Sequence, residues 1–328
     1  MNLKKPLFCA LLMLAGLSWQ ATAFAQAAAA ASAPAAAPAP MPSPGEYTKK
    51  GADTCLGCHD DEATAYSAKA IFKSRHAHRG DKRAPFGAGG LQCEACHGPG
   101  ALHARNKKAA SINSLKADSE VPVDQRNQVC LGCHEGTSRT GWHAGAHERA
   151  KVACTTCHKM HQESGDPVLV KSSEPQVCLG CHKQQRADFQ KTSSHPVRQG
   201  LMACSDCHSP HGSSAQAMLV KPTLNQTCFT CHADKRGPFL WEHAPVAEDC
   251  ALCHSAHGSV RPALLTKTPP LLCQQCHSPA GHPSVARTPA GLPGGGGGGS
   301  IFLVAGSCTN CHSQVHGSNH PAGVKLMR

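Results

Sequence analysis

Twenty of the chain's 21 cysteines fall into Cys-x-x-Cys pairs, and a histidine follows every pair directly. The ten triplets are Cys55, Cys58 and His59; Cys93, Cys96 and His97; Cys130, Cys133 and His134; Cys154, Cys157 and His158; and Cys178, Cys181 and His182. Then come Cys204, Cys207 and His208; Cys228, Cys231 and His232; Cys250, Cys253 and His254; Cys273, Cys276 and His277; and Cys308, Cys311 and His312. This is the attachment pattern of c-type haem. Two thiols add to the two vinyl groups on one porphyrin edge, which two intervening residues span. The adjacent imidazole is carried under the ring to bind iron as proximal ligand.

Other uses of paired cysteines fit less well. Five four-thiolate zinc ribbons would use the pairs but not the histidines. An exported disulfide framework leaves those histidines equally unexplained. Thioredoxin-like redox pairs need a βαβ context that the chain lacks. Ten c-type haems are therefore the cofactors expected.

The chain has 23 histidines, so thirteen remain after the proximal set. One histidine or histidine pair lies between the two motifs of each repeat, and another soon after the second. That phase supplies two distal candidates per repeat: His76, His103, His147, His161, His195, His211, His243, His257, His282 and His316. Three more accompany them, His78, His143 and His320. His147 is preferred to His143 because it precedes Cys154 by the same seven residues that separate His243 from Cys250. His76 over His78 and His316 over His320 are chosen with less to separate them. Methionine, the alternative sixth ligand, is too scarce and out of phase, so bis-histidine haems of low potential are expected. The stretch MACSDCHSPHG (Met202–Gly212) shows the consequence: His208 serves the haem on Cys204 and Cys207. His211, on the same side of that ring, reaches a neighbouring haem.

Composition agrees. Aromatic residues are only 4% of the chain, with two Tyr and three Trp, too few for the apolar core of a chain this long. Porphyrin faces would take the place of that core. The net charge of +11 ordinarily suggests an anionic partner, but no basic stripe with interleaved aromatics supports a nucleic acid. Loss of Lys4 and Lys5 with a leader peptide leaves +9. Ferric haem with two propionates carries about −1, so ten of them nearly cancel that charge.

Lys4 and Lys5, the apolar run Pro6–Trp19 and Ala23-Phe24-Ala25 make a secretory signal peptide over residues 1–25, which contains Cys9. Residues 26–49 are an Ala/Pro-rich lead-in read as disordered. The decahaem domain occupies 50–328 as five two-haem repeats, approximately 50–125, 126–173, 174–223, 224–268 and 269–328. Six glycines, Gly294–Gly299, form a flexible loop within the last. The repeat signal is plain: QVCLGCH occurs at Gln128–His134 and Gln176–His182. Such periodicity predicts an elongated array of neighbouring units, mostly irregular loops with short α-helices and little or no β structure. Asp60–Lys73 and Lys183–Lys191 are the helical pieces expected. Without a Cys-x-x-Cys-Lys motif or an open iron, the array reads as an electron carrier, not an enzyme. The alternative is a periplasmic multihaem reductase with one open haem.

GLQCEACHGPG (Gly90–Gly100), KRGPFLWEHAPV (Lys235–Val246) and CTNCHSQVHGSNHPAG (Cys308–Gly323) resemble the MtrA/DmsE family of decahaem cytochromes over about Lys50 to Arg328. The Ala/Pro-rich lead-in and the hexaglycine depart from that family's pattern. The resemblance implies a periplasmic cytochrome threaded into an outer-membrane β-barrel porin of the MtrB type. It would pass electrons between periplasmic or inner-membrane cytochrome donors and an extracellular multihaem cytochrome, reductase or metal. Fe(III) reduction and Fe(II) oxidation both suit such a ladder. The resemblance also favours His76, His147 and His195 as ligands.

Overall fold

The computed structural model describes residues 45–60, 67–108, 112–136, 139–162, 165–277 and 307–327. The expected leader, residues 26–44 of the lead-in, His282 and the hexaglycine lie outside them, whereas residues 45–49, expected to be disordered, are bonded to the first repeat through Glu46 and Thr48. The described residues belong to one unit, Pro44–Arg328, and among them there is no strand, only isolated bridges, short α- and 3-10 helices and loops.

Each haem motif is a single helical turn. The amide of the motif histidine donates to the carbonyl of the first cysteine, as in His59 to Cys55 (2.9 Å), His208 to Cys204 (2.9 Å) and His312 to Cys308 (2.8 Å). The turn places both thiols on one side and the imidazole just beyond them, which two-point attachment to one porphyrin edge requires. Most helices stop there. Glycine, proline and histidine crowd the residues that follow each motif, and isolated helices this short gain little from propensity.

The exception is the 12-residue helix Val123–His134, which carries the third motif at its C-terminal end. Its buried residues are Arg126, Asn127 and Leu131, so no apolar stripe announces it. The segment Lys183–Asp188 is helical as expected, whereas Ala68–Lys73 is a 3-10 helix.

Buried side chains bind the two motifs of a repeat together. Asn127 Oδ1 accepts from the Cys154 amide (2.8 Å) while its Nδ2 donates to the Val152 carbonyl (3.0 Å). Asn225 repeats the arrangement with Cys250 (2.8 Å) and Val246 (2.9 Å). Glu174 accepts from the amide and hydroxyl of Ser205 (2.8 and 2.6 Å), and Glu94 from Thr48 and the Gly100 amide. All four are buried, where a polar group is stable only when bonded. The apolar core is thin by comparison. Its buried members include Ala52, Ala70, Ala153 and Ala203 beside Leu131, Trp142, Phe189, Val197 and Leu219.

Adjacent repeats are joined by short backbone bridges: Ser193 with Ser259 (2.9 and 2.8 Å) and Trp241 with Ser318 (2.8 and 2.9 Å). The glycine that follows a distal candidate sits in these junctions. Gly212 has φ of +102° and lies so close to Gly141 that a Cβ would collide with the Gly141 carbonyl. Glycine is the residue suited to that backbone.

Candidate haem sites

The thiols follow one another through the chain. The first cysteines of the two motifs in a repeat are neighbours: Cys55 with Cys93, Cys130 with Cys154, Cys178 with Cys204, Cys228 with Cys250, and Cys273 with Cys308. Hydrogen bonding to Cys93 pushes the Cys55 thiol up and holds Cys93 down. Successive repeats meet through second cysteines: Cys96 feels Cys130 and Cys133, Cys157 feels Cys181, Cys207 feels Cys231 and Cys253 feels Cys276. These sulfurs become thioethers once haem is attached, so their adjacency matters more than their acidity. They run in motif order.

Nine of the motif imidazoles face a second imidazole. The ring centroids are 6.1 Å apart for His59 and His103, 6.2 Å for His97 and His161, and 5.9 Å for His134 and His76. They are 6.1 Å apart for His158 and His211, 6.1 Å for His182 and His147, and 6.0 Å for His208 and His257. The last three pairs are His232 with His195 (6.3 Å), His254 with His316 (6.1 Å) and His277 with His243 (6.0 Å). Two imidazoles on opposite sides of one metal need about this separation. Each contributes a metal–nitrogen bond of about 2 Å and the short distance from that nitrogen to its own ring centre. The donor set thus fits a six-coordinate haem iron.

Of the tenth pair, His312 is described and His282 is not. His312 Nδ1 lies 2.7 Å from the Lys325 carbonyl. The three remaining histidines are differently placed. His143 Nδ1 is 3.0 Å from Glu148 Oε1, and His320 Nδ1 accepts from the Ala322 amide (3.1 Å). The ring of His78 lies beside Gly80.

Except for His59 and His103, both in the first repeat, the pairing crosses the repeats. The second motif of one repeat meets the histidine after the second motif of the next, as His158 meets His211 and His208 meets His257. The first motif of one repeat meets the histidine between the motifs of the preceding one, as His182 meets His147 and His232 meets His195.

In eight of the nine pairs one ring is anchored through Nδ1. Seven of these anchors are backbone carbonyls: Asn113 for His97, Lys108 for His103, Pro210 for His147, Ala256 for His195, Ala217 for His208, Val315 for His243 and Ala263 for His254. A carbonyl only accepts, so Nδ1 carries the proton and Nε2 is left as the metal-binding nitrogen. The eighth is a carboxylate: Asp166 Oδ2 lies 2.6 Å from His158 Nδ1. Burial also lowers the pKa of His97, His134, His211, His257 and His316. The neutral imidazole so favoured is the form that binds metal.

Sequence spacing did not reveal the anchors, because a backbone carbonyl leaves no residue signature. The asparagines at 127 and 225 did leave one, each standing three residues before a motif cysteine.

The family model of the doubled CXXCH motif matches residues 195–237 and 243–282. That of NrfB-like cytochrome c-type proteins matches 93–174, and that of cytochrome c554 and c-prime matches 16–98. The multihaem cytochrome MtrA of Shewanella baltica (strain OS185) is 43% identical over 284 residues, which is 87% of this chain and 83% of that protein. With this identity over 87% of its length, the chain belongs to the MtrA family of multihaem c-type cytochromes, electron-transfer proteins that bind c-type haem through their Cys-x-x-Cys-His motifs.

Proposed function

We propose that the chain carries ten c-type haems, each closed by two histidines, and conducts electrons across the outer membrane. The observation that carries this reading is the set of nine imidazole pairs, each a motif histidine with a distal candidate 5.9–6.3 Å away. A closed iron offers no place for substrate, so the chemistry left to such a site is one-electron transfer. His282 completes the set on His312. The haems supply the redox-active sites; the chain's own residues fix their order, hold the imidazoles neutral and orient them through Nδ1.

The periplasm is the compartment this reading assigns, with the chain held at the outer membrane by a β-barrel porin of the MtrB type. Periplasmic or inner-membrane cytochromes face one end of the array, and an extracellular multihaem cytochrome, reductase or metal faces the other. The identity to MtrA supports this placement. Among the described residues no helix is long and apolar enough to cross a membrane, so crossing would rest on the barrel.

Two measurements on the purified holoprotein test the reading. Haem per polypeptide should equal ten by alkaline pyridine assay, and ferric EPR with magnetic circular dichroism should find only low-spin haem. A high-spin ferric haem in stoichiometric amount would instead assign the chain to the multihaem reductases. For the conduit itself, liposomes containing the chain with its co-purified barrel should pass electrons from an internal dye to external Fe(III). Equal rates without the barrel would reject it.

A further inference from the structure

Among the described imidazoles that face a second imidazole and are anchored through Nδ1, only His158 has a carboxylate there. The equivalent position in later repeats explains why. His208 and His254 are anchored by the carbonyls of Ala217 and Ala263, which stand four residues before Lys221 and Lys267. Both alanines are left-handed, with φ of +52°. The residue four before Lys171 is Pro167, whose ring holds φ near −65° and forbids that conformation. The preceding residue does the work instead. Asp166 caps the turn Pro167–Leu169 through Oδ1, which accepts from the amides of Val168 and Lys159 (both 3.3 Å). Its Oδ2 receives the His158 ring at 2.6 Å. The side chain is 6% exposed, against 28% for His158, so water does little to weaken the contact.

We infer that Asp166 makes the haem on Cys154 and Cys157 the lowest-potential site of the array. The inference rests on the bis-histidine reading above. A carboxylate draws the Nδ1 proton more strongly than an amide carbonyl does, giving the ring imidazolate character. The ring then donates more charge through Nε2 and stabilises ferric iron over ferrous. The change concerns an equilibrium: one electron is exchanged with the neighbouring haem, and no bond or proton is transferred. Asp166 is a tuning residue, acting through His158. The fourth haem of ten is consequently the last to be reduced, a built-in step partway along the array.

The test is protein-film voltammetry of the holoprotein together with an EPR-monitored redox titration. Asp166→Asn removes the carboxylate charge and leaves one amide oxygen, which serves either His158 or the amides of Val168 and Lys159 but not both. It should raise the lowest potential by at least the 59 mV that a tenfold change in a one-electron equilibrium represents. Asp166→Glu should restore part of the shift. In the unsubstituted protein the last haem reduced should give a rhombic low-spin signal, because the His158 and His211 rings are only 10° from parallel. An unmoved low-potential edge in Asp166→Asn overturns the inference. So does an equal shift in both variants, or a last-reduced haem with a crossed-ring signal. Haem count and spin state are measured separately, so failure here leaves the bis-histidine reading standing.

Discussion

His147 Nδ1 lies 2.8 Å from the carbonyl oxygen of Pro210, the residue joined to His211. His147 faces His182, and His211 faces His158. One hydrogen bond therefore links the imidazole pair His147–His182 to the pair His158–His211. The relationship recurs with His195 on Ala256, next to His257, and with His243 on Val315, next to His316. Each of these hydrogen bonds ties the position of one imidazole pair to that of another.

The first prediction follows from the crossing. His211→Met should place a methionine opposite His158, giving one His/Met haem with a raised potential and a near-infrared charge-transfer band. Replacing Cys154 and Cys157 by alanine in the same background should abolish that band. If it disappears instead when Cys204 and Cys207 are replaced, the crosswise assignment is wrong.

The second concerns ring orientation. Parallel imidazole planes donate into the same iron d orbital and split the d levels, whereas crossed planes share the donation and leave the levels nearly degenerate. His134 with His76 and His182 with His147 are crossed at 86° and 79°. His254 with His316 and His59 with His103 lie at 14° and 20°. Ferric EPR should thus contain a minor class of signals with a very large g value beside a majority of rhombic ones. His76→Met and His147→Met should each remove one signal of the large-g class. Loss from the rhombic class in either variant would contradict the geometry.

Much of the site was legible because covalent attachment demands a fixed local pattern. Two thiols and a proximal imidazole must lie within five residues, so Cys204, Cys207 and His208 announce themselves. Distal residues obey no such local rule. His211 stands three residues from His208 yet faces His158, fifty-three positions earlier, because the repeats interlock. The helix Val123–His134 was hidden for a related reason. Its buried face carries Arg126 and Asn127, whose bonds to Lys116 and Val152 stabilise it where an apolar stripe ordinarily would. Asp166 leaves no such pattern either, since only the presence of Pro167 at the anchoring position gives its side chain a task.

A third prediction tests the junction glycines. Gly212→Ala combines a left-handed backbone with a collision at Gly141, at a cost of about 3 kcal/mol. For a chain of this size that lowers Tm by roughly 5–10 °C. Calorimetry of the holoprotein should show the loss, with Gly136→Ala, whose added Cβ meets nothing within 4 Å, within a degree or so of the parent. Equal Tm values for the two variants would mean that the junction is not closely packed.

The last prediction concerns Asn225, buried between the two motifs of its repeat. Its Oδ1 accepts from the Cys250 amide at 2.8 Å, and its Nδ2 donates to the carbonyls of Val246 and Ala247 at 2.9 and 3.2 Å. Alanine leaves one donor and two acceptors without their partner, each worth about 1–3 kcal/mol when buried. The amide of Cys250 begins the motif turn ending at His254, and Val246 lies three residues after His243. Loosening this contact therefore frees a proximal ring and a distal ring at once. Asn225→Ala should accelerate hydrogen exchange at the Cys250 amide at least tenfold, and broaden the low-spin signals of the His254 and His277 sites. The His59 and His97 sites should be unchanged. A uniform change at all sites would show that the repeats melt together, against the local tethering that the hydrogen bonds describe.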